Sequence, residues 1–444
     1  MSKRIVFLLF ISSIIFAQER LNLSFEEAID IALKNNPQIL TNEYQKEIYE
    51  YKGKEAFSGF LPQLNLLAVY KRTTANSPAQ VGLKIPSSLS TMTSSLTGKR
   101  ESMDSYNNYS LGLSLNQLIY DFNRTSAQYN AALFLKDAAN QDIKSSSDNL
   151  VINLYQTVLN YTLYKELYEA ALNTEKQMES HLKMAKAQVM AGVRTNIDIL
   201  RAESDLYNAR LNTLRIKNQI VISKLNLKNL LGIFDETDIE IRPPERKGDF
   251  SIPEGENNKF IQNRPEYLSL KLKIDSLRAS LKSARSGYFP SLSLIGGFTY
   301  NGYELDGLVY NWNIGGQLSW NIFSGFYTTS YDEELRAQIR MYEANLSQLV
   351  QSLYLEIENS KISYKEALER VELNRALLKT AEETLNLTEA RYMSGLGTFI
   401  EVSDAQNIYT NAKNSLIQAE YDLYLSRIRL EKALGLLKYN KRGD

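Results

Sequence analysis

Two stretches of this chain hold no helix breaker: none of the 69 residues from Asn123 to Ala191, and none of the 68 from Tyr327 to Ser394, is proline or glycine. At about 1.5 Å per residue, each is predicted as one helix roughly 100 Å long, which no globular core can bury. Gly192 and Gly395 end the two runs, and helical periodicity resumes over Ile197 to Leu231 and Ile400 to Leu434, 35 residues each. A shorter helix is expected from Pro37 to Ser58, stopped by Gly59 and Pro62. Ahead of it, Ser24 and Glu27 form a capping box for a first amphipathic helix.

The pattern is written twice. Ser58, Gly59, Phe60, Leu61 and Pro62 recur as Ser286, Gly287, Tyr288, Phe289 and Pro290, at an offset of 228. Met190, Ala191, Gly192, Thr195 and Ile197 recur as Met393, Ser394, Gly395, Thr398 and Ile400, at an offset of 203. Leu231 and Gly232 close the first copy as Leu434 and Gly435 close the second. The offset falls by 25, so the first copy carries an insertion between its two strands, placed in the Ser/Thr-rich stretch Ser77 to Asp104. Residues 18–234 are read as the first repeat and 259–444 as the second. Between them, 235–258 is charged and holds Pro243, Pro244 and Pro253, as expected of a linker or a small equatorial structure.

Within each repeat a pair of segments alternates with period two. Strands are expected at about 62–72, 109–119, 291–301 and 310–321. Tyr109, Leu111, Leu113 and Leu115 fall on one side of the second and Ser110, Gly112, Ser114 and Asn116 on the other. The fourth puts Tyr310, Trp312, Ile314, Leu318 and Trp320 on one face, opposite Asn311, Asn313, Gly315, Gln317 and Ser319. Both tryptophans of the chain share that face, about 21 Å apart along a membrane normal once strand tilt is included, near the spacing of the aromatic girdles of a transmembrane barrel. Trp312, Trp320, Tyr310 and Tyr109 are therefore expected in a girdle facing outer-membrane lipid. Four strands cannot close a barrel, and an open edge is forbidden in lipid, so the chain must associate. Two copies would give eight strands, three twelve and four sixteen. Periodicity does not choose among them.

At the N-terminus, Lys3 and Arg4 precede an apolar run that ends at Ala17, the form of a secretory signal peptide over residues 1–17. The run is too short to span a bilayer as a helix. There is no cysteine, which excludes disulfides, thiolate metal sites, cysteine nucleophiles and a lipid on an N-terminal cysteine. Lysine and arginine total 51 against 51 acidic residues, and nothing invites nucleic acid. His181, the only histidine, lies within the first long helix with no second histidine for a metal pair, and reads as packed or solvated. Gly296–Gly297 and Gly315–Gly316 lie within strands and lack a following lysine, so no phosphate loop is expected.

Helix, strand pair, long helix, glycine turn and helix, performed twice after a signal peptide, resembles the TolC-like outer-membrane efflux proteins. The likeness covers the whole mature chain. It is carried by Leu23 to Ala28 with Asn35, Asn36 and Pro37; by Phe60, Leu61 and Pro62; by Leu118 to Asp121; by the Gly192 and Gly395 turns; and by the closing Leu231 and Gly232. The resemblance implies an α+β membrane protein: a homotrimer whose four strands per chain build a twelve-stranded transmembrane β-barrel, continued by a long antiparallel α-helical barrel through the periplasm. It implies a passive outer-membrane channel of a tripartite efflux or type I secretion system, with a periplasmic adaptor and an inner-membrane pump as partners. No catalysis, cofactor or metal is implied.

The resemblance also assigns residues. The helix turns Gly192, Val193, Arg194, Thr195 and Gly395, Leu396, Gly397, Thr398 would meet the adaptor. Glu401 and Asp404 match the family's paired acidic positions, three apart on one helix face, and in a trimer would place six carboxylates around a narrow periplasmic gate. Crowded carboxylates repel one another and attract cations. At the same positions they also complement the positive end of a helix dipole. Tyr392 matches a tyrosine that holds the closed state. Some members carry an arginine two residues after the turn glycine, where this chain has Gly397; Arg194 holds the corresponding place in the first turn, on a different helix pair. The competing function is an exported structural coiled-coil protein with a β interaction head and no pore.

Overall fold

The computed structural model describes residues 20–74, 105–192, 194–234, 238–244, 250–253 and 255–439. The expected signal peptide, Val193 and the inserted Ser77–Asp104 lie outside them. Two compact units are present, one from the described parts of 1–46, 137–271 and 344–444, the other from those of 47–136 and 272–343. Among the described residues no helix is long and apolar enough to cross a membrane.

The second unit is built on four strands: β2 (Gln63–Thr74), β3 (Ser105–Tyr120), β5 (Ser291–Gly302) and β6 (Val309–Ser319). They pair antiparallel in the order β2-β3-β5-β6, so the two repeats join at β3 and β5. The register sets Leu66 opposite Leu113, Leu113 opposite Phe298, and Phe298 opposite Trp312. Period-two alternation then puts leucines and aromatic residues of all four strands on one face, with Ser110, Ser114, Ser293, Thr299 and Asn313 among those on the other. Leu66, Trp312 and Leu318 are 72%, 70% and 68% exposed, so the chain by itself leaves the apolar face uncovered. Trp320 comes just past the end of β6, where its indole N–H donates to the carbonyl of Tyr288 at 3.1 Å. β3 begins four residues earlier than the alternation suggested, because its partner β2 continues through Thr74 opposite Ser105.

Each repeat leaves the sheet through the same strained corner. Phe122 and Asn123 take φ of 53° and 66°, and Gly325 and Phe326 take 63° and 64°, two consecutive left-handed residues in each case. The long helices therefore start at Arg124 and Tyr327. Asp121 holds the first corner, its carboxylate accepting from the Thr125 amide at 2.8 Å and the Thr125 hydroxyl at 2.6 Å. Ser324 and Thr328 repeat the arrangement in the second copy. Thr125 in turn explains Gly59, where an added Cβ would fall 2.9 Å from the threonine methyl group, whose rotamer Asp121 locks. Asp121→Ala is expected to destabilise this corner by about 1 kcal/mol, as loss of a helix cap does, read as a lower denaturation midpoint.

The first unit packs α1 (Phe25–Asn35) against a parallel pair of short strands, β1 (Arg20–Leu23) and β4 (Asp238–Ile241). β4 lies within the segment expected as a linker. The capping box is present, with Ser24 and Glu27 bonding reciprocally. Phe25, Ala28, Leu154, Val158, Leu227, Leu231, Ile239 and Ile428 close the core. Besides α2 (Pro37–Ser58), the long elements are α3 (Arg124–Met190), α4 (Asn196–Leu231), α7 (Tyr327–Met393) and α8 (Phe399–Ala433), with α5 (Asn257–Gln262) and α6 (Pro265–Arg285) opening the second repeat. One stripe of α4 is buried through Ala202, Leu206, Thr213, Ser223, Leu227 and Leu231. A second stripe, Ile197, Leu200, Tyr207, Leu211, Leu214, Val221 and Leu225, is exposed. Its steps of three, four and seven residues are those of a coiled-coil seam.

Candidate functional site

The two glycine turns lie in the first unit. Gly192 and Gly395 have φ of 72° and 79°, with open space where a Cβ would stand, so the left-handed backbone rather than crowding calls for glycine. Each turn hands one long helix to a shorter one, α3 to α4 and α7 to α8. Ala185, Ala202, Tyr392, Phe399 and Val402 form a common apolar cluster from these four helices. The short side chains of Ala185 and Ala202 make room for the two rings, which meet edge to face at 6.0 Å.

Tyr392 is 4% exposed, and its hydroxyl donates to Gln188 Oε1 at 2.6 Å, tying α7 to α3. Burial raises the phenol above its ordinary value; Arg194 opposes that shift and Asp198 adds to it. The group therefore stays protonated and remains a donor at neutral pH. The Arg194 guanidinium lies 5.1 Å from the centre of the Tyr392 ring, and Nη2 donates to the Gly397 carbonyl at 2.8 Å. One arginine thus joins the first turn to the second.

Gly397 sits close against the end of α7. A Cβ there would come within 3.1 Å of the Tyr392 amide nitrogen and 3.3 Å of the Arg391 carbonyl carbon. A side chain at this position would crowd the end of α7, and its carbonyl is met by Arg194 from the other repeat. The spacing from each turn glycine placed Arg194 correctly along the chain, but nothing in the sequence pointed it across 203 residues at Gly397. Gln188 carried no signal at all, being one polar residue among many on a long helix.

Glu401 and Asp404 are both exposed on the first turns of α8. The Glu401 amide is capped by the Thr398 hydroxyl at 3.3 Å, whereas Thr195 makes no such bond in the first turn. Ser403, between the two acids, donates to Asp205 of α4 at 2.8 Å and fixes the rotation of α8. Leu396 is exposed at the outer side of its turn, as are Gly192 and Thr195. The paired turns thus combine a buried contact set of Arg194, Tyr392 and Gln188 with a solvated acidic face. The girdle candidates belong to the second unit: Tyr310, Trp312 and Trp320 are exposed, and Tyr109 packs on Tyr70 with ring centres 5.1 Å apart.

Comparison with known proteins agrees with this architecture. A toluene efflux pump outer membrane protein of Pseudomonas putida, TtgC, is 22% identical over 333 residues, spanning 73% of this chain and 68% of that one. The cation efflux system protein CusC of Escherichia coli is 21% identical over 295 residues, 64% of each chain. The solved structure of the Campylobacter jejuni CmeC outer membrane channel superposes with a TM-score of 0.81 at 19% identity, over 95% of this chain and 87% of that one. The profile of the family described as outer membrane efflux protein matches residues 28–233 and 258–436, both repeats and nearly all of the chain. With both repeats so matched, the chain belongs to the outer membrane efflux protein family.

Proposed function

We infer that three copies of this chain assemble into a passive exit duct, gated at the glycine-turn tip and fed by an inner-membrane pump through a periplasmic adaptor that meets the turns at Gly192–Thr195 and Gly395–Thr398. The observation that carries this reading is a sheet with one face apolar and uncovered and with its outer strands β2 and β6, among the described residues, unpaired on one side. In lipid such edges must be satisfied, and pairing β6 of one copy with β2 of the next closes a barrel without new elements. Trp312, Trp320, Tyr310 and Tyr109 then face the lipid interface. The exposed seam of α4 supports the same association, since a heptad stripe of this length needs a helical neighbour.

Transport needs no bond chemistry, and the chain acts as a conduit rather than an enzyme. The names of its relatives mention toluene in one case and cations in another. That spread fits an outlet whose cargo is chosen by the pump upstream.

Purified in detergent and reconstituted in a planar bilayer, the protein is expected to run as a trimer and to conduct ions. A monomer that stays soluble without detergent and never conducts would instead support a pore-less structural protein. At the gate, the double variant Glu401→Ala, Asp404→Ala is expected to lower the cation-over-anion permeability ratio severalfold, because it removes the acidic ring. An unchanged ratio and unchanged conductance would leave the two acids as ordinary helix-dipole partners.

A further inference from the structure

His181 of α3 and Glu389 of α7 meet at 3.5 Å, Nε2 to Oε1, with the imidazole 10% and the carboxylate 32% exposed. His181 stands seven residues before Gln188, and Glu389 three before Tyr392, so this contact and the Tyr392–Gln188 bond join the same two helices at neighbouring turns. A 310 Å³ cavity lies alongside, lined by His181, Met184, Glu389, Tyr392, Met393 and Phe399 among others. It leaves the pair room to separate. His181 is the only histidine of the chain, and histidine is the side chain whose ordinary charge change falls between pH 5 and 8.

We propose that His181 and Glu389 form a proton-operated clasp on the α3–α7 contact, tightening the tip latch as the surrounding pH falls. The clasp regulates the site assigned above, and so rests on Tyr392 acting as a latch. The titratable groups that line this cavity beside the imidazole are Glu389 and Tyr392 from α7 and the exposed Lys176 from α3, and α8 contributes Phe399 and Val402 to the lining. Of the acids on α4, Glu203 is engaged by Lys186 at 3.2 Å and Asp205 accepts from Ser403 at 2.8 Å, while Asp198 acts on Tyr392. An imidazolium is attracted to the Glu389 carboxylate and a neutral imidazole is not. Protonation of the imidazole therefore favours the closed contact for as long as Glu389 stays ionised.

The test is open probability in a planar bilayer with the pH on the tip side stepped from 8 to 5.5. Wild type is expected to close by about twofold per clasp, or about eightfold if three copies act together, as for partly exposed ion pairs. His181→Gln and Glu389→Gln should each flatten that profile. A step that survives in both variants overturns the clasp, as does one that vanishes only with Glu401→Ala, Asp404→Ala, which would put the proton on the acidic ring. Should either variant fail to assemble, the single imidazole can be followed by NMR in intact Glu389→Asp, whose shorter carboxylate should move the titration midpoint; an unmoved midpoint overturns the proposal. Tyr392→Phe, read at pH 8 alone, judges the latch separately: unchanged opening there discards the latch whatever the pH series gives.

Discussion

Arg194→Ala is expected to open the tip at rest. The substitution removes a charge-assisted bond to the Gly397 carbonyl and the stacking of the guanidinium on Tyr392. Such a bond contributes about 1.5–3 kcal/mol and such stacking about 0.5–2 kcal/mol. Even the lower end of that range shifts a two-state latch more than tenfold per copy, since about 1.4 kcal/mol is a factor of ten. Resting conductance in a planar bilayer, or entry of a large antibiotic into cells expressing the variant, reads the change. Tyr392→Phe, which keeps the ring under Arg194 and loses only the bond to Gln188, should open less. Arg194→Lys should resemble alanine more than arginine, because an ammonium cannot both lie flat on the ring and reach Gly397. Equal resting conductance in wild type and Arg194→Ala would show that the bond is incidental to closure.

The largest loss of stability is expected at Arg264. This arginine is 2% exposed and ends the last turn of α8, with Nη1 donating to the carbonyls of Lys432 and Ala433 at 3.1 Å each. Nε and Nη2 meet Glu266 at 3.1 and 3.2 Å, and Nη2 reaches Glu356 at 3.4 Å. Arg264→Ala leaves two helix-end carbonyls and a half-buried carboxylate without their cation, a loss of about 3–5 kcal/mol, the cost of breaking a buried pair by removing one partner. The helical circular-dichroism signal of detergent-solubilised protein under denaturant measures it.

The acid limb should move too. Burial alone would raise the Glu266 carboxyl, but Arg264 outweighs it and holds the group below its ordinary value. Glu266 therefore contributes stability above the ordinary carboxylate range and loses it only as pH falls through the depressed value. Without Arg264, burial is opposed only by hydrogen bonds from Ser145 and the backbone, and acid unfolding should begin at a higher pH. Arg264→Lys should restore part of the stability, because an ammonium cannot fork between Glu266 and the helix end.

The helices, strands and turns were legible in the sequence because each is encoded by neighbours. Absence of glycine and proline marked α3 and α7, period two marked the sheet, and Gly192 and Gly395 marked the reversals through their need for positive φ. Element ends were less legible. The left-handed pair Phe122–Asn123 sits in no pattern that favours it, and is held by Asp121 and the packing of Phe122 on Phe289, rings 4.8 Å apart and 167 residues distant in sequence. At the tip, the spacing of Glu401 and Asp404 could be read off one helix turn and the place of Tyr392 off its distance from Gly395. The partners of Tyr392 could not.

What the sequence determined by itself was therefore periodic and local: two copies of one plan, a sheet with too few strands to close alone, and membership of an outer-membrane efflux family. What the tertiary structure alone decided was which residue of one copy answers which residue of the other. Arg194 reaches Gly397, Gln188 receives Tyr392, and His181 faces Glu389, each pair about 200 residues apart. Those pairings depend on the axial register and rotation of helices packed side by side. Both are set by how Ala185, Ala202, Phe399 and Val402 interlock, and no spacing along one helix records them.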